Sequence, residues 1–356
     1  MGVVNAISFD EHEQLVFGRD RESGLRAIIA VHDTTLGPAV GGCRMYPYES
    51  EEAALDDVLR LSRGMTYKSA LAGLPFGGGK SVIIGNPAQH RSRELFLAMG
   101  RFVDSLGGRY IAAEDSGTSV EDLRVMAEAT PYVSGIAATE YGGDPSPSTA
   151  LGVFVALRQA LVHRLGSDEL QGVRVAVQGL GHVGFDLARR LTAAGAEVLA
   201  ADISAPRLEQ AQRELGVRPV ALDEVLEADV DVFAPCALGG VLNRESIPRI
   251  RAGIVAGAAN NQLQREGDGE LLADRGILYC PDFLINAGGI IDVHYQRTGQ
   301  DRAALAGHIA GIGDRLAEVL RRSDECHRST AAIAEDLARE LLARGAATSD
   351  ASRAAA

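Results

Sequence analysis

With 356 residues the chain exceeds the size of one typical domain, so two domains are the natural expectation. Its 46% hydrophobic and 23% charged residues match a globular protein and supply enough apolar material for two packed cores. The formal net charge of −13 excludes a nucleic-acid partner, whose phosphates require a positive face.

The opening MGVVNAISFDEHEQ reaches acidic residues too early for a secretory signal, and Ala6 stands where a myristoylation motif requires Ser or Thr. Residues 24–32 (GLRAIIAVH) read as a buried strand. A helix is predicted from Ser50, with Glu51 and Glu52 in its first turn. Leu55, Val58, Leu59 and Ser62 share one face of it, continuing to Met65. Apolar runs at 81–84 and 110–113 have strand length, and a capping box, Thr118-Ser119-Val120-Glu121, opens another helix. The segment 142–148 (GGDPSPS) marks a break between units.

Beyond it the strand-like runs 173–178, 197–201, 230–234, 254–258 and 277–279 alternate with helical stretches such as 185–194 and 206–215. That alternation implies a parallel, doubly wound sheet. After Asn286 the chain is helical again, and it ends in an Ala/Ser/Asp tail expected to be disordered. No run approaches the roughly 20 apolar residues of a membrane span, so no membrane partner is expected. Cys43, Cys236, Cys280 and Cys326 follow no metal-ligand spacing. They read as reduced thiols of a cytoplasmic protein without a metal.

Val175-Ala176-Val177-Gln178 runs into Gly179-Leu180-Gly181-His182-Val183-Gly184, and a helix follows. Gly179 suits the tight turn, Gly181 lets backbone approach a pyrophosphate, and Gly184 allows close helix–strand contact. The free N–H groups of the helix start face the phosphates. Asp202 ends the next strand about 20 residues beyond the first glycine, where a carboxylate accepts ribose hydroxyls and repels a 2′-phosphate. NAD is therefore expected over NADP.

A Rossmann sheet does not name a reaction, which must come from other residues. Lys68 lies near the edge of the apolar face of the helix from Ser50, where a lysine ordinarily reaches for solvent. Lys80 follows Leu74-Pro75-Phe76-Gly77-Gly78-Gly79. This resembles a phosphate loop but lacks the leading glycine, and a strand follows it instead of preceding it. A glycine-rich turn and a lysine held on a fixed stem both remain open. Asp115 follows the strand-like run at 110–113, a favoured place for catalytic groups. From the residues alone, structural and catalytic roles are equally open for these three.

LGPAVGGCR (36–44), RGMTYKSALAGLPFGGGKSVIIG (63–85) and AAEDSGT (112–118) resemble the glutamate/leucine/phenylalanine/valine dehydrogenase family. So do QGLGHVG (178–184), APCALGG (234–240), GAANNQL (257–263) and INAGG (285–289). The likeness spans roughly residues 10–325 in the family's order, with the leucine and valine dehydrogenases nearest.

The resemblance implies an α/β protein of two domains with the active site in the cleft between them. Residues 1–140 would form a mixed α/β domain for substrate binding, catalysis and oligomerisation. Residues 141–325 would form the Rossmann NAD domain, and 326–356 helices returning to the first domain. It implies a cytoplasmic homo-oligomer, dimer or octamer, interconverting an L-amino acid with its 2-oxo acid and ammonia.

By the same resemblance, Lys68 pairs with the substrate carboxylate, and Gly41 and Gly42 border it. Lys80 is the catalytic base, kept neutral by burial and neighbouring cations, and activates the water that attacks the iminium. Asp115 carries a proton to or from the substrate nitrogen. Thr149, Cys236, Ala237, Asn260 and Asn286 lie on the coenzyme side, with Asn260 also reaching substrate.

The family's pocket positions correspond to Val40, Ala113, Ile290 and Val293, all apolar. Val40 replaces the lysine that holds the distal carboxylate in the glutamate enzymes, so glutamate is disfavoured. Val40 and Ile290 narrow the space in favour of leucine, valine or isoleucine. His294 and Tyr295 depart from the Ala-Asp expected of a leucine dehydrogenase. The competing readings are a phenylalanine dehydrogenase of the same mechanism and an inactive NAD-binding regulatory protein.

Overall fold

The computed structural model describes residues 11–136, 144–265, 267–299 and 301–354. Contacts divide the chain into two units. The first comprises Met1–Gly143, Gln296–Gly299 and Ala338–Ala356, and the second Asp144–Tyr295 and Gln300–Leu337.

The first unit contains β1 (Gln14–Arg19), β2 (Arg26–Asp33), β3 (Ala39–Tyr46), α1 (Glu51–Leu71), β4 (Gly77–Ile84), α2 (Pro87–His90), α3 (Arg93–Asp104), β5 (Tyr110–Glu114) and α4 (Val120–Ala127). Its sheet runs β1-β2-β4-β3-β5, with β1, β2 and β4 antiparallel neighbours and β3 parallel to both β4 and β5. Alternation along the strands sorts side chains between two cores. Ile28, Ala30 and Val82 meet Ala54, Val58 and Leu59 of α1 on one face. Ile29, Val31, Met45 and Ile83 meet Phe96, Met99, Leu123 and Met126 of α3 and α4 on the other.

Ser50 caps α1 by accepting from the Ala53 N–H, as its position before an acidic first turn predicts. The box at the start of α4 lies one residue later than the motif suggests. Ser119 is the cap and Asp122 its reciprocal partner, while Glu121 pairs with Arg124. The glycines before Lys80 form no turn. They belong to β4, because neighbours come too close for side chains. A Cβ on Gly78 would sit 2.1 Å from the Thr66 nitrogen of α1, and one on Gly79 would sit 2.7 Å from the Tyr110 ring. From Ala338 onward the chain contributes to this unit, where the Arg339 guanidinium lies 5.6 Å from the Tyr67 ring centre.

The second unit opens with α5 (Ser146–Leu165). Ser146, Pro147 and Ser148, expected to be part of a break, are instead its first turn, where proline is tolerated. Gly142 and Gly143 of that expected break lie outside the described residues. There follow β6 (Arg174–Gln178), α6 (His182–Ala193), β7 (Glu197–Ala201), α7 (Ala205–Leu215), β8 (Arg218–Pro219), β9 (Val232–Pro235), β10 (Ile254–Val255), α8 (Asp268–Asp274), β11 (Leu278–Tyr279), α9 (Asp282–Ile285), α10 (Gly288–Thr298), α11 (Arg302–Cys326) and α12 (Thr330–Ala354).

The sheet is parallel in the order β11-β10-β9-β6-β7-β8. The chain starts at its middle, winds one way through β7 and β8, then returns to wind the other way. This is the Rossmann order, with its switch point between β6 and β9. β10 is shorter than the apolar run 254–258, because Gly257 crosses the backbone of Pro235, whose oxygen lies 2.2 Å from where a Cβ would be. The tail is helical through Ala354, consistent with the helix propensity of alanine. Among the described residues no helix is long and apolar enough to cross a membrane.

Candidate active site

Strand parity assembles the site in the first unit. Gly78, Lys80 and Val82 alternate onto the α1 face of β4; Val40, Gly42 and Arg44 do so on β3; Ile111 and Ala113 do so on β5, which leads into Asp115. Val40 pairs with Gly78 and Ile111, and Gly42 with Ala113. The sheet thus brings Val40, Gly42, Lys80, Ala113 and Asp115 together on adjacent strands. Lys68, in the last turn of α1, is buried instead of reaching solvent. Its helix lies directly on β4 at the Thr66–Gly78 approach.

The Lys80 ammonium contacts the Asp115 carboxylate, with the two side chains only 6% and 13% exposed. Gly42 makes room for that carboxylate, since a Cβ there would sit 2.6 Å from the Asp115 Cβ. The turn after β5 is tied down by Thr118, whose hydroxyl accepts from the Asp115 N–H at 3.1 Å and reaches the Cys43 carbonyl at 2.9 Å. Arg44 Nε lies 3.4 Å from the same Asp115 oxygen, and its Nη1 donates to Asp57 at 2.9 Å. Tyr48 donates to Asp57 at 2.5 Å.

Burial alone would raise the Asp115 carboxyl, but Lys80 and then Arg44 outweigh it and hold it at about 2. The side chain therefore remains an anion throughout the neutral range. Behind the sheet, Tyr110 donates to the Gly41 carbonyl at 2.7 Å and fixes the Gly41–Gly42 backbone. Burial keeps its phenol protonated, as a donor.

A carboxyl lowered from 3.8 to about 2 stabilises the fold fully above 3.8, and that contribution is lost as pH falls through 2. The stability gap between wild type and Asp115→Asn is expected to shrink by on the order of 2 kcal/mol between pH 5 and 2. Urea unfolding at stepped pH measures it, and a constant gap would contradict the assignment.

In the second unit, Gly179 takes φ +98°, a conformation suited to glycine, and abuts Ala237. A Cβ on Gly184 would lie 2.0 Å from the Gly179 carbonyl oxygen and 3.1 Å from the Cys236 Cβ. Gly181 begins α6 without a side-chain cap and with open space at its Cβ position. Asp202 accepts from the Leu180 N–H at 2.6 Å and from the Ser204 N–H at 2.7 Å, which sets its carboxylate beside the glycine turn. The His182 side chain is exposed and lies 3.0 Å from Asp144, and Val183 is partly buried.

Asn286 donates to Asn260 at 2.8 Å and to the Ala258 carbonyl at 3.1 Å. Its own side-chain oxygen is buried without a partner among the described residues. Thr149 lies against Gly289, whose Cβ would meet its hydroxyl at 2.6 Å. Ile290 and Val293 are buried one turn apart on α10. An uncapped helix start, an open glycine cradle and an unpartnered amide oxygen fit a dinucleotide.

Thr118, expected to cap a helix, instead ties down the turn that carries Asp115, and no sequence motif assigns a role to Arg44, Asp57, Tyr48 or Tyr110. Arg44 closes the GGCR motif, which was a signal available without a structure. The others depend on contacts between segments far apart in the chain.

The Rossmann sheet with its glycine turn, beside a separate unit carrying a buried lysine–carboxylate pair, fits a dinucleotide-dependent enzyme, and the family matches make this chain a dehydrogenase. Three family descriptions match it. They are the Glu/Leu/Phe/Val dehydrogenase dimerisation domain over residues 12–132, the Glutamate/Leucine/Phenylalanine/Valine dehydrogenase domain over 204–355, and the NAD-binding domain of D-isomer specific 2-hydroxyacid dehydrogenases over 156–238. Leucine dehydrogenase of Thermoactinomyces intermedius is 48% identical over 310 residues, 87% of this chain and 85% of that one. Phenylalanine dehydrogenase of Bacillus thermotolerans is 46% identical over 320 residues, covering 88% and 84%. The crystal structure of L-tryptophan dehydrogenase from Nostoc punctiforme superimposes with a TM-score of 0.79 at 44% identity, covering 94% and 97%. The chain belongs to the glutamate/leucine/phenylalanine/valine dehydrogenase family of amino-acid dehydrogenases.

Proposed function

We propose that the protein catalyses the reversible, NAD-dependent oxidative deamination of leucine, valine or isoleucine to the 2-oxo acid and ammonia. The observation carrying this reading is the buried contact between the Lys80 ammonium and the Asp115 carboxylate. A buried lysine beside a fixed carboxylate suits proton transfer to and from water and an amine. Lys68 pairs with the substrate carboxylate, and the Gly41–Gly42 backbone held by Tyr110 borders it.

Bound along Gly179–Gly184, with its ribose on Asp202, NAD supplies the acceptor for the hydride that leaves Cα. Leu180, His182 and Val183 belong to that turn, and Thr149, Cys236, Ala237, Asn260 and Asn286 serve the nicotinamide side. In its amine form Lys80 takes a proton from the water that adds to the resulting iminium carbon, becoming the ammonium that contacts Asp115. Asp115, ionised at rest, takes a proton from the substrate ammonium before hydride leaves and returns it to the nitrogen as ammonia departs.

Val40 and Ala113 in one unit, and Ile290 and Val293 in the other, offer no charge to a substrate side chain, which supports an apolar amino acid. Val40 is fully buried, and a distal carboxylate beside it would lie unpaired. The Asp202 carboxylate opposes a 2′-phosphate and supports NAD over NADP. The protein acts as a cytoplasmic homo-oligomer, a dimer or octamer; the dimerisation-domain match and the unpaired cysteines support this.

The test is NADH formation across the common L-amino acids, repeated with NADP⁺. Branched-chain substrates are expected to exceed phenylalanine by about tenfold in kcat/KM, the scale of one or two methylenes in a pocket. Dominance by phenylalanine or tryptophan would replace the branched-chain reading with an aromatic one. Coenzyme binding without turnover would replace it with a regulatory protein.

A further inference from the structure

The Asp115 oxygen that meets Lys80 also faces a second cation. Gly42 and Arg44 are two apart on β3 and therefore share the α1 face. Gly42 leaves the volume in which Asp115 sits, and the next residue on that face, Arg44, reaches the carboxylate with Nε at 3.4 Å. The far side of the same guanidinium donates to Asp57 of α1 at 2.9 Å, and Tyr48 donates to Asp57 at 2.5 Å. Arg44, Asp57 and Asp115 are 19%, 24% and 13% exposed, so water screens this chain only weakly.

We propose that Arg44 is a positioning residue for the reaction, fixing the Asp115 carboxylate from an anchor made by Asp57 and Tyr48. This inference rests on the reading that Asp115 exchanges protons with the substrate nitrogen.

The chemistry selects arginine. The planar, permanently charged guanidinium lies between two carboxylates: Nη1 donates to Asp57, while Nε faces Asp115 as a charge contact outside hydrogen-bond geometry. The ammonium of a lysine concentrates its charge at one point and serves one of them. Burial opposes the Arg44 charge, and Asp115 with Asp57 overcomes it, raising its pKa. Without Arg44, the cation left in contact with Asp115 among the described residues is Lys80, the group proposed to cycle its own proton during turnover. The carboxylate would then lose its permanent counter-charge at the moment Lys80 is neutral.

The experiment compares Arg44→Gln, Arg44→Lys, Arg44→Ala and Asp115→Asn in the full-length enzyme with leucine and NAD. A carboxylate displaced by about 1 Å lowers turnover by roughly 100-fold, and Arg44→Gln is expected to approach that loss in kcat. The KM for leucine is expected to stay within about threefold, because the interaction lost acts on the reacting nitrogen rather than on binding. Millimolar guanidinium is expected to restore much of the lost kcat in Arg44→Ala, whereas urea, similar in shape but neutral, is not.

A kcat near wild type in Arg44→Gln, a loss confined to KM, or equal rescue by urea would overturn the inference. If Arg44→Gln and Arg44→Ala fail to fold, Arg44→Lys decides. It is expected to lose about tenfold or more in kcat at unchanged KM, and a wild-type kcat would overturn the proposal. An active Asp115→Asn would instead remove the underlying reading of Asp115. An inactive Asp115→Asn beside a fully active Arg44→Gln would remove the positioning role alone.

Discussion

Replacing Lys80 with alanine is expected to lower kcat for NADH formation from leucine by about 10²–10⁴-fold, the span that a positioned general base contributes. The substitution is unusually clean for a buried charge. Truncating one member of a buried ion pair ordinarily strands its partner and destabilises the fold by about 3–5 kcal/mol. Here Arg44 remains 3.4 Å from the Asp115 carboxylate, so the anion left behind still has a counter-charge. The space opened lies between β4 and α1, where Gly78 already lets the helix and strand touch. The variant should therefore fold and retain NADH binding, and its melting temperature and coenzyme titration check this. A loss smaller than about tenfold would remove Lys80 from the role of base.

The second large effect belongs to the nucleotide turn. Gly184→Ala is expected to weaken NADH binding by roughly 10- to 100-fold, as overpacking of about 1–3 kcal/mol implies. The added methyl would stand 2.0 Å from the Gly179 carbonyl oxygen and 3.1 Å from the Cys236 Cβ. Neither obstacle is the flexible end of a side chain, so α6 must move away from the turn that ends β6. That displacement carries the uncapped helix start off the line of the pyrophosphate. It also disturbs the Leu180 N–H, which donates to Asp202 at 2.6 Å. Equilibrium titration with NADH measures the loss, and an affinity within about threefold of wild type would contradict the cradle as drawn. Lys80 and Asp115 belong to the other unit, so their mutual contact serves as the internal control.

Much of the second unit is legible without coordinates because its signals are local. The turn Gly179–Gly184, the strand before it, the helix after it and the acid ending the next strand all lie within one short stretch. Each glycine there answers to a neighbour a few residues away or to the ligand. The strand edges were harder to read, and β10 stops early because Gly257 must clear Pro235 on an adjacent strand.

By itself the sequence determined the alternation of strands and helices, the parallel sheet, the dinucleotide turn, and Lys68, Lys80 and Asp115 as candidates. Only the tertiary structure decided what surrounds them. It turned Gly77–Gly79 from an apparent loop into the start of a strand, since the crowding comes from Thr66 and Tyr110, distant in sequence. It moved Thr118 out of the helix cap, where its hydroxyl joins Cys43 to Asp115. It also set Arg44 beside Asp115. Periodicity records which face of an element is buried, but a salt bridge between strands depends on which faces the sheet order makes neighbours, and no local pattern carries that information.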